Sequence, residues 1–288
     1  MTRLLVLASL LFALVSPSLA QQPGGTLAKV AETGRLIIGY VPDAAPMSFT
    51  DENGRPAGYS IELCNVIRDA VRKHLGLSEL RVDYVPLRLP RERIEAVVSG
   101  KVDIECSATT ITLGRREQVD FTLMTLITGA SSLSLAQAGI ANNAQLDGKR
   151  LAVVRDTTTE RVLRRFLDIN EFEAEEVRLV DTHEQGLKLL NSGEVDAHVA
   201  DQIILTGQVI SAKEPGNYRL APDVFSYEPY GFMIRKGDSE FRLVADDALA
   251  RFYRTSRIQR LYYDWFGRYG LRQTPVQAAM YQFQGLPD

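Results

Sequence analysis

The 288-residue chain is poor in cysteine (2) and histidine (3), and carries no large charge excess, with 33 basic against 36 acidic residues. Two cysteines exclude a disulfide-dense miniprotein. A net charge of −3 excludes the basic face that a nucleic-acid binder needs. His74, His183 and His198 share no metal-ligand spacing, so no metal site is expected. G-x-S-x-G, the P-loop and a G-x-G-x-x-G between strand and helix are all missing, and no pair of carboxylates stands out as general acid and base. No catalytic residue and no cofactor are therefore expected. What is there suits an ordinary folded chain: 45% of residues are hydrophobic and 24% charged, a balance that is neither disordered nor collagen-like. The length allows one large domain or two modest ones.

Apolar residues concentrate at the start. Arg3 precedes an almost unbroken apolar run over residues 4–15, Pro17 interrupts it, and Ser18-Leu19-Ala20 offers small residues at 18 and 20. This is the pattern of a signal peptide over residues 1–20, cleaved after Ala20. The run is too short for a membrane anchor, which needs about 20 apolar residues. No lipobox cysteine lies near the cleavage site, so a soluble periplasmic protein is expected. An oxidising compartment allows Cys64 and Cys106 to bond; two separate buried thiols are the alternative.

The rest of the chain repeats one pattern. Gly34-Arg35-Leu36-Ile37-Ile38-Gly39 and Gly148-Lys149-Arg150-Leu151-Ala152-Val153-Val154 are each a turn followed by a β-rich run and then an amphipathic helix. Further on, Ser99-Gly100-Lys101-Val102-Asp103 and Ser192-Gly193-Glu194-Val195-Asp196 each stop a helix and lead into a buried strand. Alternating strands and helices predict an α/β fold of two similar lobes, each with a mostly parallel sheet.

Open α/β sheets bind ligands outside the carboxyl ends of their strands. Polar groups gather there. The first lobe offers Cys106-Ser107-Ala108-Thr109-Thr110, followed by Arg115. The second offers Val199-Ala200-Asp201, and Asp156-Thr157-Thr158-Thr159 where a strand meets a helix. A fixed cation, hydroxyls and a fixed anion suit a zwitterion, because unpaired buried charges are costly. The blander reading leaves Arg115 solvated, Asp201 as an N-cap and residues 157–159 as a helix start.

These residues carry a resemblance. Over residues 26–269 the chain resembles bacterial periplasmic solute-binding proteins of the type II fold, family 3, and among them the glutamate/aspartate-binding proteins of ABC importers. The matching stretches are Gly58-Tyr59-Ser60, Asp103-Ile104-Glu105-Cys106 with Thr109-Thr110, Arg115, Phe121-Thr122, Asp156-Thr157-Thr158-Thr159-Glu160, His183, Ser192-Gly193, Asp201, Tyr230-Gly231 with Met233, Arg235 and Lys236, and Asp264-Trp265-Phe266. The resemblance implies that the C-terminal segment returns to the first lobe: residues 26–124 and 226–288 form lobe 1, residues 125–225 form lobe 2, and two hinge strands join them. It implies that Arg115 clamps an α-carboxylate with help from Thr110 and Thr158, that Asp201 holds the α-ammonium, and that Arg93 and His183 lie near a side-chain carboxylate. Thr157 and Ala108 complete the expected lining.

The chain also departs from the acidic binders. Val41 stands where they carry an arginine, and Pro90 and Ala108 stand where they carry serines; Arg88 or Arg91 would have to compensate. Glutamate or aspartate is the first expectation, and glutamine or another polar amino acid the second. The implied partner is the permease of an ABC transporter, served by a monomer closing on its ligand. The rival readings are a cyclohexadienyl or arogenate dehydratase on the same scaffold, and a sensor module feeding a receptor.

Overall fold

A computed structural model describes residues 25–287; the expected signal peptide lies outside them. Among the described residues no helix is long and apolar enough to cross a membrane.

The chain opens with α1 (Thr26–Thr33) and β1 (Arg35–Tyr40). A small antiparallel sheet follows, of β2 (Asp43–Ala44), β3 (Ser48–Thr50) and β4 (Pro56–Ala57). Then come α2 (Tyr59–His74), β5 (Arg81–Pro86), α3 (Pro90–Val98), β6 (Ile104–Glu105), the one-turn α4 (Leu113–Arg116) and β7 (Val119–Thr128). After Gly129 a second series runs β8 (Ala130–Leu135), β9 (Arg150–Val154), α5 (Thr158–Ile169), β10 (Glu176–Val180), α6 (His183–Asn191), β11 (Ala197–Asp201), α7 (Gln202–Ser211) and β12 (Tyr218–Leu220). The chain ends with β13 (Glu228–Arg235), α8 (Ser239–Tyr253), α9 (Ser256–Trp265) and α10 (Pro275–Gln284).

Two five-stranded sheets result, ordered β5-β1-β6-β13-β7 and β10-β9-β11-β8-β12. Their patterns are the same. In each, three neighbouring strands are parallel, as βαβ units demand, and the next two pairings are antiparallel. Four strands of each sheet thus share a direction, and the reversed one, β13 or β8, begins just after the chain has crossed from the other sheet. The sheets are therefore mixed, and the two-lobed α/β architecture holds. The internal repeat seen in the sequence is this repeated topology.

The crossing segments lie side by side. The backbone N–H of Ala130 donates to Ser226 Oγ at 2.9 Å and the N–H of Phe225 to the carbonyl of Ala130 at 2.9 Å. A Cβ on Gly129 would stand 2.2 Å from the Ser226 carbonyl oxygen, so only glycine lets the two backbones approach this closely.

Helix α2 buries Ile61, Leu63, Cys64, Ile67 and Val71 against the first sheet, and Cys64 is disulfide-bonded to Cys106, with Cα atoms 6.3 Å apart. The bond ties α2 to the segment that leaves β6. Helix α10 covers the free edge of β7. There the Gln284 side chain accepts from the Met124 N–H at 2.7 Å and donates to its carbonyl at 3.0 Å, and Gln277 accepts from the Ile127 N–H at 2.8 Å. These amides complete hydrogen bonds that an edge strand otherwise exposes.

Candidate functional site

Helices α3, α5 and α6 all begin close after the carboxyl ends of parallel strands β5, β9 and β10. Each is fixed by a side chain three residues in. Glu92 accepts from the Arg88 N–H, Glu160 from the Asp156 N–H and Gln185 from the Asp181 N–H, all at 2.8 Å. In α5 and α6, Thr157 and Thr182 accept in return from the Glu160 and Gln185 N–H, which is capping-box chemistry. Helix α3, which has Leu89 at its N-cap, keeps only the first half of it. The three helix N-termini are aimed into the space between the lobes, where a narrow cavity of about 50 Å3 is lined by Arg93, Thr110 and Arg115 of one lobe and by Thr158, His183 and Asp201 of the other.

Arg115 is buried at 7% exposure. Its Nη1 donates to the carbonyl of Thr110 at 2.6 Å, and its backbone N–H is capped by Thr112 Oγ1 at 3.2 Å. It has no carboxylate partner among the described residues. Burial, with the charges of Arg93 and Arg161 added, lowers its pKa to about 10, so it stays a cation at neutral pH.

Asp201 closes β11 and stands at the N-cap of α7, yet its side chain makes no cap hydrogen bond. Thr159 Oγ1 instead donates to its Oδ1 at 2.7 Å, and the Tyr230 hydroxyl donates to its Oδ2. Burial first, then the charge of Glu228, raises its pKa to about 6. The carboxylate is thus ionised at neutral pH but held at a cost.

Arg93 is buried, not an exposed helix charge. One of its nitrogens, Nη1, donates to Ser107 and Thr109, each at 3.0 Å, and both hydroxyls pass the contact on to the fully buried Glu105. The Arg93–Glu105 separation is 3.5 Å. Its Nε has no hydrogen-bond partner among the described residues, and neither does His183 Nδ1. The His183 ring packs edge-to-face on His198 at 5.9 Å. Burial, and then Arg93, lower its pKa to about 4, leaving it neutral. Its backbone N–H reaches across the cleft to Asp43 at 2.9 Å.

Every residue expected at the site lines this one cavity: Arg115, Asp201, Thr110, Thr158, Arg93, His183, Ala108 and Thr157. The Thr157 hydroxyl is nonetheless committed. It donates to the Val154 carbonyl at 2.7 Å and accepts from the Glu160 N–H at 3.0 Å, so its work is to start α5. Val41 and Pro90 also line the cavity, and so does Arg88. Arg91 does not; it is exposed, paired with Glu95 at 2.8 Å, and lines the neighbouring open cleft with Arg115 instead. Sequence reasoning missed Asp43, and it placed Thr159 in the candidate stretch 156–159 without assigning it to Asp201. It also missed Glu105 and Tyr230 as partners of the site, although both lie in quoted stretches. A carboxylate at the end of the buried strand that leads into Cys106 was the available sign for Glu105. No local sign marks Tyr230, which approaches Asp201 only because β13 returns to the first sheet. Among the described residues no group of three or more His, Cys, Asp or Glu side chains could hold a metal ion.

Residues 36–268 match the bacterial extracellular solute-binding proteins, family 3. The chain is 34% identical over 254 residues to the L-glutamate/L-aspartate-binding protein of Pseudomonas aeruginosa, covering 88% of this chain and 83% of that one. It is 30% identical over 249 residues to the glutamate/aspartate import solute-binding protein of Escherichia coli K12, covering 86% and 81%. Among solved structures it resembles an ancestral amino acid-binding protein described as a precursor of cyclohexadienyl dehydratase, with a TM-score of 0.70 and 28% identity, covering 84% of this chain and 99% of that one. This match over most of the chain, on a two-lobed fold with a polar interlobe cavity, shows that the protein belongs to the family 3 bacterial extracellular solute-binding proteins.

Proposed function

We propose that the protein captures an acidic L-amino acid, glutamate or aspartate, in the periplasm by closing its lobes, and hands it to the permease of an ABC importer. The observation that carries this reading is the placing of a buried guanidinium without a carboxylate partner, Arg115, and a buried carboxylate, Asp201, on one interlobe cavity. An α-carboxylate on Arg115 and an α-ammonium on Asp201 would each satisfy a charge that is costly alone. Thr110 and Thr158 would flank the carboxylate, while the ligand side chain would extend towards Arg93, His183 and Arg88. The unpartnered Arg93 Nε and His183 Nδ1 favour a distal group that can hydrogen-bond. The Val41, Pro90 and Ala108 side chains bring no hydrogen-bonding group to that end, so a distal carboxylate would depend on Arg93 and Arg88, and glutamine is the second candidate. We take the lobes to be residues 26–124 with 226–288, and 125–225, hinged where the crossing segments meet beside Gly129.

A thermal-shift panel of the twenty amino acids tests the reading. Ligand at 100 times its Kd adds about 2.7 kcal/mol of stability, so glutamate and aspartate should shift the melting temperature most. A panel without any shift would remove the amino-acid assignment. Incubation with prephenate or arogenate should yield no aromatic product; if it does, the dehydratase reading replaces this one.

A further inference from the structure

Arg115 on α4 and Arg161 on α5 belong to opposite lobes and line the same open cleft, of about 610 Å3, at the mouth of the ligand cavity. Neither has an anionic partner among the described residues. Arg115 donates only to a carbonyl, and the exposed Arg161 makes no hydrogen bond or ion pair there. Of the nearby acids, Glu95 pairs with Arg91 at 2.8 Å and Glu160 with Arg164 at 2.9 Å, while Asp156 lines the same cleft without an ion pair and its field falls on Arg91. Arg93, the other cation near Arg115, is offset by Glu105 beneath it. The field of Arg161 is felt at Arg115 after that of Arg93, with Glu105 and Glu228 acting more weakly in the opposite sense. Shutting the lobes thus brings two unpaired guanidiniums towards each other.

We propose that Arg161 is a closure-gating residue: its charge disfavours the closed state while the cavity holds no anion, and a carboxylate bound at Arg115 removes that penalty. The inference rests on Arg115 as the carboxylate clamp. It gives Arg161 a role apart from the grip itself, that of keeping the empty protein open and receptive. A ligand shifts a two-state equilibrium only by its differential affinity for the states, so a penalty confined to the empty closed state widens the response to ligand.

The test uses the full mature chain carrying one fluorescent dye on each lobe, without amino acid, and reads the closed fraction by single-molecule energy transfer. Because Arg161 is exposed, screening limits the effect. Arg161→Gln should raise the closed fraction about two- to fivefold, the range expected of a single exposed charge pair, and Arg161→Lys should restore the parental value. Raising the salt from roughly 20 mM to roughly 500 mM should raise the closed fraction of the parent and leave Arg161→Gln unmoved. An unchanged closed fraction in Arg161→Gln, or the same salt response in both proteins, overturns the proposal. No ligand enters the measurement, so its failure is distinct from that of the amino-acid panel.

Discussion

The hydroxyls of Thr110 and Thr158 lie 3.1 Å apart and share a hydrogen bond across the cleft between the lobes. Thr110 also offers its carbonyl to Arg115, so the residue that steadies the guanidinium is the one that meets the opposite lobe. Grip and closure are linked through a single residue, by its carbonyl on one side and its hydroxyl on the other. The conformation described is accordingly a closed one, in which Arg115 and the N-terminus of α5 line one cavity.

Arg115→Ala should therefore weaken amino-acid binding at least tenfold, a loss of about 1.4 kcal/mol or more from a charge-assisted pair. Arg115→Lys should recover little, because an ammonium cannot reproduce the forked contact of a guanidinium. Isothermal calorimetry measures both. Parental affinity in Arg115→Ala would mean that the carboxylate sits elsewhere.

Asp201 should behave in opposite ways towards ligand and towards stability. Its pKa is raised to about 6 from 3.8. As the pH falls through 6 the carboxyl takes up a proton, and affinity for an α-ammonium should drop, approaching tenfold per pH unit. For the unliganded fold the sign reverses. The native state holds this proton more tightly than the unfolded chain, so the group's contribution to stability is fully present below pH 3.8 and is lost as the pH rises through 6. Asp201→Asn should thus abolish binding yet stabilise the unliganded protein at pH 7 by on the order of 2 kcal/mol, with the advantage shrinking by pH 4.5. Urea denaturation at the two pH values checks this, and an equal advantage at both would remove the burial argument.

What could be foreseen here divides by range along the chain. Arg115 and Asp201 were legible because one follows and the other closes a strand that the hydrophobic pattern marks, and the carboxyl ends of such strands face the ligand. The repeated strand–helix series was legible for the same local reason. Thr157 was over-read, since a threonine before a helix signals both a cap and an anion site, and only its bonds to Val154 and Glu160 separate the two. Tyr230 was out of reach as a partner of Asp201, because their meeting depends on a crossover whose direction leaves no periodicity in the sequence. The reversed strand in each sheet was hidden for the same reason. Arg88 and Arg91 could not be told apart either: one precedes α3 and lines the cavity, while the other pairs with Glu95 and lines the open cleft beside it.

Removing the disulfide should cost stability without touching the site's charges. Cys64 and Cys106 are 42 residues apart, and closing a loop of that size stabilises a fold by about 4 kcal/mol in the chain-entropy model. The double variant Cys64→Ala, Cys106→Ala should unfold at lower urea concentration by a margin of this order. Because Cys106 leads directly into Ser107, Ala108 and Thr109, its affinity for ligand should fall as well. A variant as stable as its parent would show that the bond closes a segment already ordered in the unfolded ensemble.

Closure itself can be blocked from a position outside the grip. Gly207 of α7 lies against the segment that carries β2 and β3 on the other lobe, where an added Cβ would stand 2.2 Å from the Ala45 carbonyl oxygen and 2.7 Å from Pro46 Cδ. Two backbones meet there, and neither can yield as a flexible side chain would. Within one lobe, though, alanine favours a helix over glycine by about 1 kcal/mol. Gly207→Ala should therefore leave the unliganded protein as stable as its parent, or slightly more so, while holding the lobes apart and weakening amino-acid binding at least tenfold. Small-angle scattering should show that saturating ligand fails to compact the variant although it compacts the parent. Full compaction with parental affinity would mean that α7 and the β2–β3 segment do not meet in the liganded state, and that the lobes close along another line.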